Sequence, residues 1–140
     1  VKTDFMMQVL TVFLMAAGVS VFSISLSGQK QSESIKRGKE VYALYCQSCH
    51  MENGKGVAGV NPPVAKADYL KRPSKTLINV ILKGQSGNVV VNGKKYNVPM
   101  PAQEYLTDVQ IADVLNYIKN SWGNKIPGTV TPAMVKTLRK

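Results

Sequence analysis

The chain has few of the residues on which protein chemistry usually depends. Its 140 residues include two cysteines, one histidine and one tryptophan, with 8 acidic residues against 18 basic ones. A single histidine excludes any site built on two or more imidazoles. Two cysteines and one histidine also fall short of the about four ligands a structural zinc site needs. The shortage of carboxylates leaves a formal net charge of +10, which biases the molecule toward negative partners such as acidic proteins or anionic lipid. Nucleic acid is not implied, because lysines and arginines are scattered and no basic stretch is interleaved with aromatics. There is no internal repeat. The length suits one compact domain with an appendage and is too short for two full domains.

Charge is also missing locally. Residues 5–26, FMMQVLTVFLMAAGVSVFSISL, carry none. As a helix this stretch would be roughly 33 Å long, enough for a hydrocarbon core of about 30 Å. It exceeds the about 7–15-residue apolar core of a secretory signal. A single transmembrane anchor is therefore expected over 5–26, although Ser25-Leu26-Ser27 has a small-x-small pattern compatible with cleavage. Residues 1–4 would be a cytoplasmic end, and the polar, aperiodic residues 27–33 a linker.

A folded domain is expected over 34–122. Ser34 is a plausible N-cap for a short amphipathic helix carrying Ile35, Val41, Tyr42 and Tyr45 into Cys46. A glycine-rich loop at 53–59 and then Asn61-Pro62-Pro63 follow, neither of them helical. Leu77, Ile78, Ile81 and Leu82 fall at helical spacing between an N-cap at Ser74 and a stop at Gly84. Valines around Asn92-Gly93 have hairpin chemistry. Leu106-Thr107-Asp108 opens a last helix with Val109, Ala112, Val114, Leu115 and Ile118 apolar, ended by Gly123. Residues 123–140, with Pro127, Gly128 and Pro132, form a tail available to lie along a neighbouring subunit.

The reactive side chains all fall within Cys46-Gln47-Ser48-Cys49-His50. This is C-x-x-C-H, the attachment signature of c-type haem. Two thiols add across the two vinyl groups of the ring and fix its edge to the chain, and the histidine directly after them reaches the iron. A thioredoxin-type redox motif also contains C-x-x-C, but the β-α-β pattern that accompanies it is absent. No second histidine can supply the other axial ligand, and methionine sulfur is the usual choice in an electron carrier. Met6, Met7 and Met15 lie in the apolar stretch, Met51 is held on the same side as His50, and Met134 is in the tail. Met100 is left, in Val98-Pro99-Met100-Pro101, where two prolines stiffen an extended loop. The expected cofactor is one haem c, bound through Cys46 and Cys49, with His50 and Met100 on the iron. Methionine–histidine ligation raises the potential and fills both axial positions, which points to electron transfer and away from catalysis.

On these motifs the chain resembles the class I (mitochondrial-type) cytochromes c, in a bacterial membrane-anchored form, over roughly 34–122. Further positions carry the resemblance. Gly38 and Tyr42 stand eight and four residues before Cys46, and Val114 and Tyr117 match the pair on the last helix that they pack against in that family. Pro62, or else Pro63, is similar to the proline whose carbonyl accepts a hydrogen bond from the proximal imidazole. The stretch from Lys83 to Met100 is richer in valine, asparagine and lysine than in mitochondrial proteins, and the family's propionate-binding residues do not carry over by motif. Tyr69, Tyr96 and Trp122 are the candidates, with simple packing an equally open role for each.

The resemblance implies a mostly α fold, the small cytochrome c helical arrangement around one covalent haem, preceded here by a single transmembrane helix. It implies a non-enzymatic electron carrier in a bacterial respiratory chain. The haem domain would lie on the periplasmic face of the inner membrane, between a quinol-oxidising complex and a terminal oxidase. The alternative is a fixed mono-haem subunit of a terminal oxidase, a nitric oxide reductase or an alternative quinol-oxidising complex. Expected partners are the lipid bilayer and redox proteins acidic at their docking face, steered by Lys55, Lys94 and Lys95.

Overall fold

A computed structural model describes residues 28–139. The expected span over 5–26 and the cytoplasmic end lie outside the described residues. Among the described residues no helix is long and apolar enough to cross a membrane. The chain divides into two compact units, 1–32 and 33–140; of the first, only residues 28–32 are described, and they are helical.

Helix α1 runs over residues 28–45. The stretch expected as an aperiodic linker is thus helical, and Ser34 lies inside the helix instead of capping it. The reason lies in the side chains: Gln, Lys and Glu are good helix formers, and nearly all of residues 28–33 face solvent. Ser34 is the first buried residue among those described, and its hydroxyl donates to the Asp113 carboxylate at 2.6 Å. One further helical turn, α2 (Gln47–His50), follows. A 3-10 turn at Asp68–Lys71 precedes α3 (Ser74–Lys83). Pro73 occupies the α3 cap position without a side-chain bond, so Ser74 is the first helical residue and not the cap. The hairpin forms as its chemistry dictates. Strands β1 (Val89–Val91) and β2 (Lys94–Tyr96) pair antiparallel with Val91 opposite Lys94. Asn92 and Gly93 both have positive φ, 51° and 75°, as a two-residue type I′ turn requires.

Helix α4 (Asp108–Asn120) is capped by Thr107, whose side chain and that of Gln110 bond reciprocally across the first turn. Val109 points outward at 47% exposure, and Ile111, not counted in the expected stripe, is fully buried. Every residue from Ile111 to Asn116 is buried, because α4 is packed on several sides. Its polar residues are therefore paired. Asp113, 3% exposed, takes Ser34 and a two-pronged Arg37 at 2.6 and 3.0 Å, which ties α1 to α4.

The tail is the main departure. Residues 123–139 fold back onto α4, and α5 (Pro132–Leu138) packs against both α3 and α4. Val130 and Val135 are buried at 2% and 0%. The Asn116 amide reads the backbone of Val130 in both directions, at 2.9 and 2.8 Å. Arg139 closes the end by pairing with Asp108 at 2.7 Å and donating to the Glu104 and Leu106 carbonyls. Two prolines and a sparse apolar pattern hid this docking, because it rests on polar side chains of α4 that look solvent-bound in sequence.

The α1–α4 crossing is set by Gly38. A Cβ there would stand 2.5 Å from the Asp113 carbonyl carbon and 2.8 Å from the Tyr117 Cβ, so the close neighbours are Asp113 and Tyr117 rather than Val114. Gly38→Val should cost about 1–3 kcal/mol, the usual scale for overpacking, measured as a lower chemical-denaturation midpoint of the protein.

Candidate functional site

Helix α2 is a single turn, and that is what gathers the reactive groups. Positions i, i+3 and i+4 of a helix share a face, so Cys46, Cys49 and His50 line one cavity. The turn is closed by amide bonds from Cys49 and His50 to the Cys46 carbonyl, at 3.2 and 2.9 Å. The two cysteines are not joined in a disulfide. Burial, and to a lesser degree the neighbouring Cys49, pushes the Cys46 thiol up to about 11.

The cavity takes in about 1090 Å³ of space including its open mouth. Apolar side chains from α3, the hairpin and α4 form most of its wall, including Leu77, Ile81, Val91 and Leu115. Pro62, Tyr69, Gln85, Tyr96 and Met100 also line it. The five residues singled out from sequence as cofactor-binding, Cys46, Cys49, His50, Pro62 and Met100, therefore face one space. Trp122 does not line it. Its ring packs on Tyr42 and Tyr117 at 4.9 and 5.2 Å between centroids, and its indole N–H donates to the Glu52 carbonyl. Trp122 is thereby removed from the propionate candidates.

The His50 ring is oriented by the chain itself. Its Nδ1 lies 3.0 Å from the Pro62 carbonyl oxygen. A carbonyl only accepts, so Nδ1 carries the hydrogen and Nε2 keeps its lone pair. Burial lowers the pKa of the ring, partly offset by the Pro62 bond, so the imidazole is neutral at neutral pH. Between Pro62 and Pro63, the carbonyl that meets His50 is that of Pro62. The loop presenting it is held by Gly54 and Gly56, both at positive φ. The Gly54 carbonyl accepts from Val64 and Ala65 at 2.8 Å, and the Gly56 amide donates to His50.

Met100 sits in an isolated bridge with Gln85, a partner that carried no signal in the sequence because the pairing is main chain to main chain. Tyr69, beneath Arg72 at 4.4 Å, makes a long hydroxyl contact of 3.4 Å with the Gln85 side chain.

A flat, largely apolar ring with a soft metal fits this donor set. Two thiols can hold its edge, a neutral imidazole and a thioether suit iron, and no charged side chain lines the apolar wall.

Comparison with known proteins gives the same direction. The protein-family model described as cytochrome c matches residues 35–122. Cytochrome c-552 of Thermus thermophilus is 40% identical over 110 residues, covering 73% of this chain and 83% of that protein. The cytochrome c subunit of the quinone alcohol dehydrogenase of Gluconacetobacter polyoxogenes is 42% identical over 106 residues, covering 73% of this chain. The gluconate 2-dehydrogenase cytochrome c subunit of Pantoea cypripedii is 35% identical over 114 residues. The chain spans only 22% and 25% of the length of these two dehydrogenase subunits.

The Tyr42 hydroxyl donates to the Met51 carbonyl at 2.7 Å, and Met51 itself holds a positive φ of 62° directly after His50. Tyr42→Phe should therefore destabilise the haem-loaded protein by about 0.5–1.5 kcal/mol, the usual net worth of such a bond, seen as a lower thermal midpoint with the fold otherwise intact.

Proposed function

The chain belongs to the cytochrome c family, and on that premise we propose that it is a single-electron carrier of a bacterial respiratory chain. Residues 5–26 would hold it to the inner membrane, with the haem domain on the periplasmic face between a quinol-oxidising complex and a terminal oxidase. As a family member it is a c-type cytochrome, it carries covalently bound haem c, and it transfers electrons without being catalytic itself. Bound haem c supplies an iron that gains and loses one electron.

The residues of this chain have distinct parts in that. Cys46 and Cys49 are its only cysteines. They would hold the haem edge, each thiol adding its sulfur and its hydrogen across one vinyl group, an addition that needs no oxidant. His50 gives its Nδ1–H to Pro62, which leaves Nε2 as the atom that would hold the iron. That bond fixes the ring plane and raises the basicity of the nitrogen. Met100, which lines the same cavity, would supply the second ligand. The apolar wall offers few polar groups that would have to reorient between the two charge states. A single observation carries the reading: both thiols, the oriented imidazole and Met100 line the same cavity.

One observation favours a second reading. Relatives of similar identity are named as cytochrome c subunits of dehydrogenases, so a fixed subunit of a larger oxidoreductase is the alternative to a free shuttle. Lys55, Lys94 and Lys95 are exposed and are the groups we assign to steering an acidic partner.

Replacing Met100 with alanine should abolish the weak near-infrared sulfur-to-iron absorption of the ferric protein, while haem attachment is kept. Survival of that absorption would sink the ligand assignment. After extraction of the full chain from native membranes in mild detergent, a shuttle should migrate alone. Its electron transfer should slow as salt shortens the Debye length below about 8 Å. Co-migration with other subunits, and a rate indifferent to salt, would establish the fixed subunit instead.

A further inference from the structure

We propose that Gly84 and Gln85, where α3 ends, are the positioning residues of Met100, and that they act through the main chain. The proposal deepens the reading of Met100 as an iron ligand and rests on it.

The segment that carries Met100 has little of its own to hold it. Val98, Pro99, Pro101 and Ala102 are all exposed. Prolines at 99 and 101 restrict φ but have no N–H, so Met100 carries the only amide hydrogen of residues 99–101. That hydrogen goes to the Gln85 carbonyl at 2.9 Å, and the Gln85 N–H returns a bond to the Met100 carbonyl at 3.0 Å. A third bond, from the Gln103 N–H to the Ile81 carbonyl at 2.8 Å, ties the following turn to the same end of α3. The Met100 loop is thus laid along the C-terminus of a helix whose other residues, Leu77, Val80 and Ile81, form the cavity wall.

Gly84 makes the approach close. It has a φ of 73°, a conformation that L side chains rarely adopt. A Cβ there would also lie 2.5 Å from the Met100 carbonyl oxygen and 2.9 Å from the Ala102 nitrogen. Any side chain would push the loop off the helix end or break the reciprocal pair. The Gln85 side chain has a lesser part. Its amide nitrogen bonds to the Ser86 carbonyl, and its oxygen meets only the long Tyr69 contact.

A glycine that merely ends a helix would affect stability when replaced, without affecting what the Met100 sulfur touches. The test therefore reads the sulfur. Gly84→Ala, Gln85→Pro and Gln85→Ala are made in the full haem-loaded chain, with Met100→Ala alongside. Gly84→Ala and Gln85→Pro should lose the near-infrared absorption of the ferric protein while keeping covalent haem and the far-UV circular dichroism of the parent. Gln85→Ala should keep the absorption, because its main-chain pair is intact. Full absorption in both Gly84→Ala and Gln85→Pro, or its loss in Gln85→Ala, overturns the proposal. If Met100→Ala keeps the absorption, the ligand reading itself is wrong, a distinct result. Should both disruptive variants fail to fold, hydrogen exchange in the parent protein decides: the Met100 amide should be strongly protected, and rapid exchange there rejects the pairing.

Discussion

The contact on which most of the structure depends is backbone against backbone, where α1 crosses α4 at Gly38 and Asp113. With no side chain between them the two helices approach closely enough for Tyr42 to reach Tyr117 and Trp122, at 5.5 and 4.9 Å between ring centroids. From that aromatic group two hydrogen bonds go to the loop after α2: Tyr42 to the Met51 carbonyl and Trp122 to the Glu52 carbonyl. The Trp122 ring also packs where a Cβ on Gly54 would stand, and Gly54 is the acceptor for the segment that follows Pro62 and Pro63. The orientation of the His50 ring is therefore the far end of a chain of contacts that begins at a helix crossing. Asp113, buried beside that crossing, keeps its charge paired with Ser34 and Arg37, as a carboxylate removed from water must.

The two walls of the cavity are built in different ways. On the histidine side the groups are close in sequence, and helical geometry alone brings Cys46, Cys49 and His50 to one face. On the Met100 side, the partners come from α3 and from the hairpin, about fifteen residues earlier and just before it. The hairpin is in turn fixed to the 3-10 turn by reciprocal bonds between Asp68 and Asn92, at 2.9 and 2.8 Å. A local motif can be recognised as a string. A wall assembled by main-chain pairing cannot, because every residue has the same N–H and C=O.

That difference explains how much of the molecule was legible beforehand. The hairpin at Asn92-Gly93 and the Thr107 start of α4 were visible, because each is a short-range rule about a turn or a cap. Gly38 was legible through its spacing to Tyr42 and Cys46, although its contact is with Asp113 rather than Val114. Of the candidate site, the cysteine and histidine positions followed from one motif, and Met100 from the exclusion of five other methionines. Gln85 and Gly84 carried no such signal. Ser34 misled: a serine before an apolar run looks like a cap, yet here its hydroxyl is used inside the helix by a buried carboxylate. Trp122 takes the packing role that was the other reading of its ring, and its N–H is used by the loop after α2.

The tail shows the same limit at larger scale. The match to the family ends at residue 122, and beyond it the composition suggests a loose extension. Instead, Asn116 on α4 pairs with both main-chain groups of Val130, and Lys119, 2% exposed, donates to the Gly128 carbonyl. These two polar residues meet the tail from α4; without it Lys119 would lose its Gly128 partner and Asn116 would keep only Ser34. Arg139 then reaches the carbonyls of Glu104 and Leu106, the turn that follows Met100. Leu106 in turn donates to Gln103, and Gln103 to Ile81 at the end of α3. The tail therefore braces the same loop from the far side that Gly84 and Gln85 brace from the near side. The inner face of the tail is thus committed to the domain, through Val130 and Val135 as well as through these polar bonds.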